Sequence, residues 1–67
     1  MIDSISGKIF KKEPTMLFIQ NGGVVFSISI CLRDYEKLPK EGESVFIFTY
    51  LNVKENLMEL YGFLDLE

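Results

Sequence analysis

Histidine and tryptophan are absent from this 67-residue chain, and cysteine occurs once, as Cys31. Without histidine there is no Cys2His2 zinc site and no His-based nucleophilic triad. With one cysteine there is no internal disulfide framework. No metal-ligand spacing, P-loop or dinucleotide-binding glycine loop occurs, so neither a metal nor a cofactor is expected. The carboxylates form no patterned catalytic pair, and the chain is not expected to be an enzyme. No apolar run approaches about 18 residues, which excludes a membrane-spanning helix. The N-terminal MIDSISGKIFKK lacks the basic region and long apolar stretch of a signal peptide. A lone thiol suits a reducing compartment, and a cytoplasmic location is the expectation. Seven Lys and Arg against ten Asp and Glu leave a formal charge of −3, which excludes a generally basic nucleic-acid-coating protein.

What is present is a globular balance, 48% hydrophobic and 25% charged. A single core of this size rarely supplies more than about 3–5 kcal/mol. Small domains usually add a disulfide, a metal or a partner. The first two are missing, so self-association or membership of a longer chain is expected.

Pro14, Asn21-Gly22-Gly23, Pro39 with Gly42, and the stretch Asn52 to Asn56 punctuate the chain. Ile2 to Phe10 alternates, with Ile5, Gly7 and Ile9 on one face and Ser4, Ser6 and Lys8 on the other. Thr15 to Gln20 is a nearly continuous apolar run. Val24 to Ile30 alternates again, with Val24, Phe26, Ile28 and Ile30 in phase. Asn21-Gly22 between these runs predicts a tight hairpin, because both residues tolerate positive φ. In Leu32 to Leu38 the apolar residues Leu32, Tyr35 and Leu38 fall at i, i+3 and i+6. That spacing predicts two turns of helix with a poorly marked start, stopped by Pro39. Ser44 to Leu51 carries Val45, Ile47, Thr49 and Leu51 on one face and Phe46, Phe48 and Tyr50 on the other, so both faces are expected to be covered. Leu57 to Phe63 is the fifth strand.

Three strands, a short helix and two strands is the order of an all-β, five-stranded OB-fold, a Greek-key barrel with its helix between strands three and four. Closing such a barrel removes most exposed strand edges. An SH3-like barrel is the runner-up, and the helix position favours the OB-fold.

Several residues invite a functional reading. Phe46, Phe48 and Tyr50 have the alternate spacing of aromatic platforms that stack single-stranded bases. Core packing or a subunit interface explains them better, since no basic groove lies near them in sequence. Lys8, Lys11 and Lys12 form the only basic cluster, a candidate phosphate contact or simply a solvated hairpin end. Tyr61 and Phe63 are read as filling the barrel or an interface, and Gly62 as allowing close packing. Cys31 is read as a structural thiol, and Met16 and Met58 as core filler.

The order Leu51-Asn52-Val53-Lys54-Glu55-Asn56, then Leu60-Tyr61-Gly62-Phe63, resembles the end of the first domain of the RuvA family. Met1-Ile2, Gly7, Pro14, Gly22-Gly23-Val24, Leu38-Pro39, Gly42 and Thr49 fit that family's pattern in order, so the resemblance covers the whole chain. It implies an OB-fold that serves Holliday-junction recognition and branch migration in DNA recombination, repair and the SOS response to DNA damage. The implied partners are four-way junction DNA, bound weakly by this segment alone, further copies of the chain in a homotetramer, and the RuvB motor. The motor, contacted through other domains, would supply the ATP-dependent helicase activity. Residues 1–67 would then be the excised N-terminal domain of a three-domain chain. The resemblance also makes Glu55 part of an acidic pin, a ring of carboxylates that repels phosphates at the junction crossover. Asn56 stands where the family usually has a second acid, so a tetramer would present four pin carboxylates rather than eight. Lys54 stands where the family has Arg and is a possible phosphate contact, with a point charge in place of a bidentate fork. Read without the resemblance, Glu55 and Lys54 are solvated turn residues. Two other functions stay open: a stand-alone OB-fold binding single strands through Phe46, Phe48 and Tyr50, and a purely structural oligomerisation domain.

Overall fold

A computed structural model describes residues 2–55 and 57–65, and all of their side chains except those of Ile2, Lys54 and Leu57. The order is β1 (Ile2–Glu13), β2 (Met16–Asn21), β3 (Val24–Ser29), α1 (Leu32–Lys37), β4 (Ser44–Lys54) and β5 (Leu57–Phe63). The strands close into a barrel in the order β1-β2-β3-β5-β4, with α1 between β3 and β4. This is the OB-fold arrangement expected from the sequence.

The barrel forms because the alternating apolar phases of four strands converge. Ile9, Leu17, Ile19, Ile28 and Ile47 are completely or almost completely buried, and Ile30 and Leu38 nearly so. Fully burying each aliphatic side chain stabilises the fold by about 1.5–3 kcal/mol. β1 is long enough to serve two neighbours. Its first part pairs with β4 from Ile2↔Tyr50 to Lys8↔Ser44, and its second with β2 from Lys8↔Gln20 to Glu13↔Met16. The register shifts between Ile9 and Lys11, and Phe10 at that irregularity is exposed. The extra residue bends the strand and lets it turn the corner of the barrel. At the bend, Ile9 donates its N–H to the Glu43 carbonyl and accepts from the Gly42 N–H, at 2.9 and 2.8 Å. The loop before β4 is thereby stitched to β1.

Several expectations need correction. β1 runs three residues further than the alternation suggested, to Glu13, because the bend changes which face is inward. β4 runs to Lys54 instead of Leu51. Asn21 does not form the second hairpin's turn. It pairs with Val24, leaving Gly22-Gly23 as the loop with Gly22 at φ +63°, and its side-chain Nδ2 donates to the Ser6 carbonyl. In α1 the buried face runs through Asp34, Tyr35 and Leu38, while Leu32 is exposed. The Asp34 carboxylate is tolerated there because it accepts the Leu64 N–H at 3.2 Å. The weakly marked start of the helix has a structural counterpart, since Cys31 occupies the N-cap with no side-chain cap bond and is an exposed free cysteine rather than a packed thiol. Val24 begins the inward phase of β3 yet is exposed.

The Pro14-Thr15 turn between β1 and β2 holds Thr15 at φ +74°, with Pro14 before it. That is the pattern of a type II turn, which ordinarily takes Gly at the second central position. A β-branched residue is strained there. Thr15→Gly should therefore raise the unfolding free energy by about 0.5–1 kcal/mol, strain relief outweighing the added entropy of the unfolded chain. Urea unfolding followed by circular dichroism measures this, and a lowered midpoint would refute the strain.

Candidate functional site: the β4–β5 hairpin arm

β4 ends at Lys54 and β5 begins at Leu57, and the rung Lys54↔Leu57 is the last one before their connection, with Glu55 in a turn. The described rungs of β1 on β4 stop at Ile2↔Tyr50. Beyond them, Leu51↔Leu60, Asn52↔Glu59, Val53↔Met58 and Lys54↔Leu57 join β4 to β5 alone among the described residues. The end of the hairpin is thus a two-stranded arm. From Tyr50, in the last described rung with β1, to Glu55 is about 16 Å along the strand at roughly 3.3 Å per residue. Glu55 is exposed there. The Lys54 side chain and all of Asn56 lie outside the described residues, so their expected roles have no geometry.

The inward face of the arm continues the core stripe and loses cover stepwise. Thr49 and Gly62 are buried, Leu51 and Leu60 half-buried, and Val53 and Met58 exposed at 64% and 67%. Met58 is therefore not core filler: its strand leaves the barrel before the side chain finds a neighbour to cover it. An open apolar groove of about 390 Å³ lies under the arm, lined by Ile5, Phe26, Thr49, Leu51, Met58 and Leu60, with Asp3 and Ser4 at its rim. Sequence reading missed the Val53–Met58 pair. The available signal was the continuation of the inward phase of β4 past the end of its apolar run.

The outward face of the same hairpin is aromatic. Phe46 and Phe48 meet edge to face at 5.2 Å. Phe48 pairs across the strands with Phe63, and Tyr50 with Tyr61. Phe46, Tyr50 and Phe63 are exposed, so the expectation that both faces of β4 are covered does not hold within the chain. The barrel needs only one face of each strand. Tyr61 donates its hydroxyl hydrogen bond to Glu59.

The lysines do not gather at the tip. Lys8 is exposed beside Gly7, Gln20, Asn21, Gly22 and Ser44 at the far end of β4. It pairs with Ser44, ten residues before Lys54. Lys11 is ion-paired with Glu13 at 2.9 Å. That hydrogen bond and the Glu13 charge hold the Lys11 ammonium above its ordinary pKa. The stabilisation linked to that raised Lys11 value is present at neutral pH and is lost as the pH rises through it. Lys12 donates to the Pro39 carbonyl at 3.1 Å and lies over the Tyr35 ring at 5.6 Å, anchoring the end of α1. Two of the three lysines are thus engaged within the fold. Among the described residues no group of three or more Cys, Asp and Glu is placed to hold a metal, and no helix is long and apolar enough to cross a membrane.

Comparison with known proteins adds the family. The RuvA N terminal domain profile matches residues 1–62. The chain is 38% identical over 65 residues to the "Holliday junction branch migration complex subunit RuvA" of Syntrophomonas wolfei subsp. wolfei, covering 97% of this chain and 33% of that protein. The same-named protein of Thermodesulfovibrio yellowstonii is 40% identical over 65 residues, covering 97% and 34%. That of Amoebophilus asiaticus is 39% identical over 67 residues, covering 100% and 34%. The chain spans about a third of the length of these relatives. With an OB barrel over its described residues and a family match over nearly its full length, the chain belongs to the RuvA N-terminal domain family.

Proposed function

We propose that this chain is the N-terminal, non-catalytic DNA-facing module of a Holliday junction branch migration complex subunit, acting in recombination and repair. The observation that carries this reading is the hairpin arm, which holds the exposed Glu55 about 16 Å along the strand from the last described rung with β1, at roughly 3.3 Å per residue. Four copies around an axis would bring four such tips to the crossover. A carboxylate near 8 Å from a phosphate repels it by about 0.2–0.5 kcal/mol in screened water. Four copies together give about 1 kcal/mol, enough to bias strand paths without preventing binding. Duplex grip would come from other domains of a three-domain protein, and ATP-driven movement from the RuvB motor. The chain's net charge of −3 suits a module that guides DNA rather than holds it.

The aromatic face of Phe46, Phe48 and Tyr50 is assigned to contact between subunits. Its neighbours on β1 are Ser4 and Ser6, uncharged residues paired with Phe48 and Phe46, which fits a protein surface better than a phosphodiester track. Lys54 and Lys8 are assigned phosphate contacts, at the tip and at the far end of β4 respectively.

Glu55→Gln in the full-length protein tests the reading. Gel shifts should show the preference for four-way over linear DNA reduced about 5-fold, following the 1 kcal/mol above, with slower branch migration when the motor is added. An unchanged preference and rate would refute the pin.

A further inference from the structure

Asp34 is a buried carboxylate that the hairpin arm does not use. It is 8% exposed, on the face of α1 that also buries Leu38 and half-buries Tyr35. An apolar residue would pack there at no electrostatic cost, whereas a buried carboxylate loses its hydration and needs hydrogen bonds to offset the loss. Among the described residues its side chain makes one: Oδ2 accepts the Leu64 N–H at 3.2 Å. Leu64 is the first residue past β5, whose last rung with β4 is Phe48↔Phe63. Its N–H has left the ladder, and a part-buried backbone donor needs a partner. Its side chain is half-buried against the core, and Asp65 beyond it is exposed. The chain therefore leaves the barrel at Leu64, fastened by one hydrogen bond and one apolar contact.

The helix that supplies this hydrogen bond is itself tied to β1. Six residues make a marginal helix in isolation, and α1 has no side-chain cap. Lys12 of β1 holds its end, donating to the Leu38 and Pro39 carbonyls at 3.5 and 3.1 Å and lying over the Tyr35 ring. Through Lys12 and Asp34, α1 links β1 to the segment that follows β5.

We propose that Asp34 is a positioning residue: with α1 it latches the segment after β5 to the barrel, so that the barrel and the part of the protein that follows it turn as one body. This rests on the reading above that the chain is the N-terminal module of a longer subunit, which its span of about a third of its relatives supports. In that setting a fixed exit carries the aim of the β4–β5 hairpin over to the domains that grip DNA. A loose exit would let each barrel swivel and take its Glu55 with it.

The test uses the full-length protein without DNA, as the parent, Asp34→Ala and Asp34→Asn. Alanine favours the helix and removes the acceptor, whereas asparagine keeps an uncharged acceptor oxygen in nearly the same shape. Hydrogen exchange read by mass spectrometry reports the Leu64 amide. Time-resolved anisotropy reports the swivel, from a fluorophore on Val25→Cys as the sole cysteine, since Val25 is exposed beside the β2–β3 turn. In Asp34→Ala the peptide containing the Leu64 amide should exchange about 10-fold faster, the scale of one lost hydrogen bond to a charged acceptor. Peptides from β1 to β4 should exchange as in the parent, and the fluorophore should gain a fast segmental component. Asp34→Asn should stay within about 3-fold of the parent. Unchanged exchange at Leu64 would overturn the latch. So would faster exchange spread over all the strands, which would make Asp34 a residue of general stability. Local loosening with no fast component would overturn it too, by showing that other contacts hold the exit. Glu55→Gln on four-way DNA is scored separately. Its failure would remove the pin and leave the exchange and anisotropy results standing, and their failure would leave the pin untouched.

Discussion

Gly7→Ala is expected to remove most of the chain's stability at 25 °C. Gly7 lies on the inward face of β1, where the strand passes over the end of β2. A Cβ placed there would sit 2.4 Å from the Gln20 carbonyl oxygen and 2.8 Å from Ile19 Cγ2. The first contact is with backbone, which cannot rotate away, so β1 or β2 must move. Movement at this point disturbs the neighbouring rung Lys8↔Gln20 and the stitch at Ile9. Overpacking commonly costs about 1–3 kcal/mol, and a clash with backbone belongs at or above the upper end. The reduced entropy of the unfolded chain destabilises the mutant's competitor by only about 0.4–1 kcal/mol. A core of this size holds about 3–5 kcal/mol, so little margin would remain. Urea titration followed by tyrosine fluorescence and circular dichroism reads the result. A midpoint close to that of the parent chain would show that the two strands separate without cost.

Gly62→Ala is expected to cost about 3 kcal/mol, at the base of the hairpin arm. Its Cβ would lie 2.6 Å from Ile28 Cγ2, 2.9 Å from Ile47 Cγ2 and 3.3 Å from Ile30 Cγ2. All three are branch methyls on buried, β-branched side chains with few rotamers to move into. The clash has a specific remedy. Leucine lacks the branch methyl on Cβ, so Ile28→Leu removes the nearest obstacle while conserving volume. In the Gly62→Ala background, Ile28→Leu should restore about 1 kcal/mol or more, although alone it should cost up to about 1.5 kcal/mol. Additive losses in the double variant would show that the methyl is not the cause. The same measurement bears on function, because Gly62 pairs with Thr49 where the arm leaves the barrel. A shifted β5 would re-aim Glu55.

Much of the barrel was readable because it depends on local rules. The alternation of Val45, Ile47 and Thr49 and the in-phase Ile28 and Ile30 identified inward faces, of which Val45 is half-buried and the other four are buried. Pro39 ended the helix within two residues of its observed last residue, Lys37. Gly62 was read as a site of close packing, and three core methyls lie where its Cβ would be. The errors share one origin. Alternation says which residues share a face, but not where along a strand that face ceases to be covered. Val24 and Met58 continue apolar phases beyond the neighbours that would bury them, and Phe46 lies on an apolar face of β4 that the barrel leaves uncovered. Asp34 was passed over for the opposite reason. A carboxylate among helix-surface charges signals solvent, and its buried place depends on a hydrogen bond from Leu64, thirty residues away.

By itself the sequence determined the order of elements, the inward phases of β1 before its bend and of most of β3, the absence of histidine-based and disulfide chemistry, and the family. All of these follow from residue type and short spacing. Only the tertiary structure decided that, among the described residues, β4 and β5 run on together past the last rung with β1, with Glu55 exposed at the end of the hairpin and Val53 and Met58 uncovered. The physical reason is that reach and exposure depend on where the neighbouring strand stops, and the end of one strand is not written in the alternation of another.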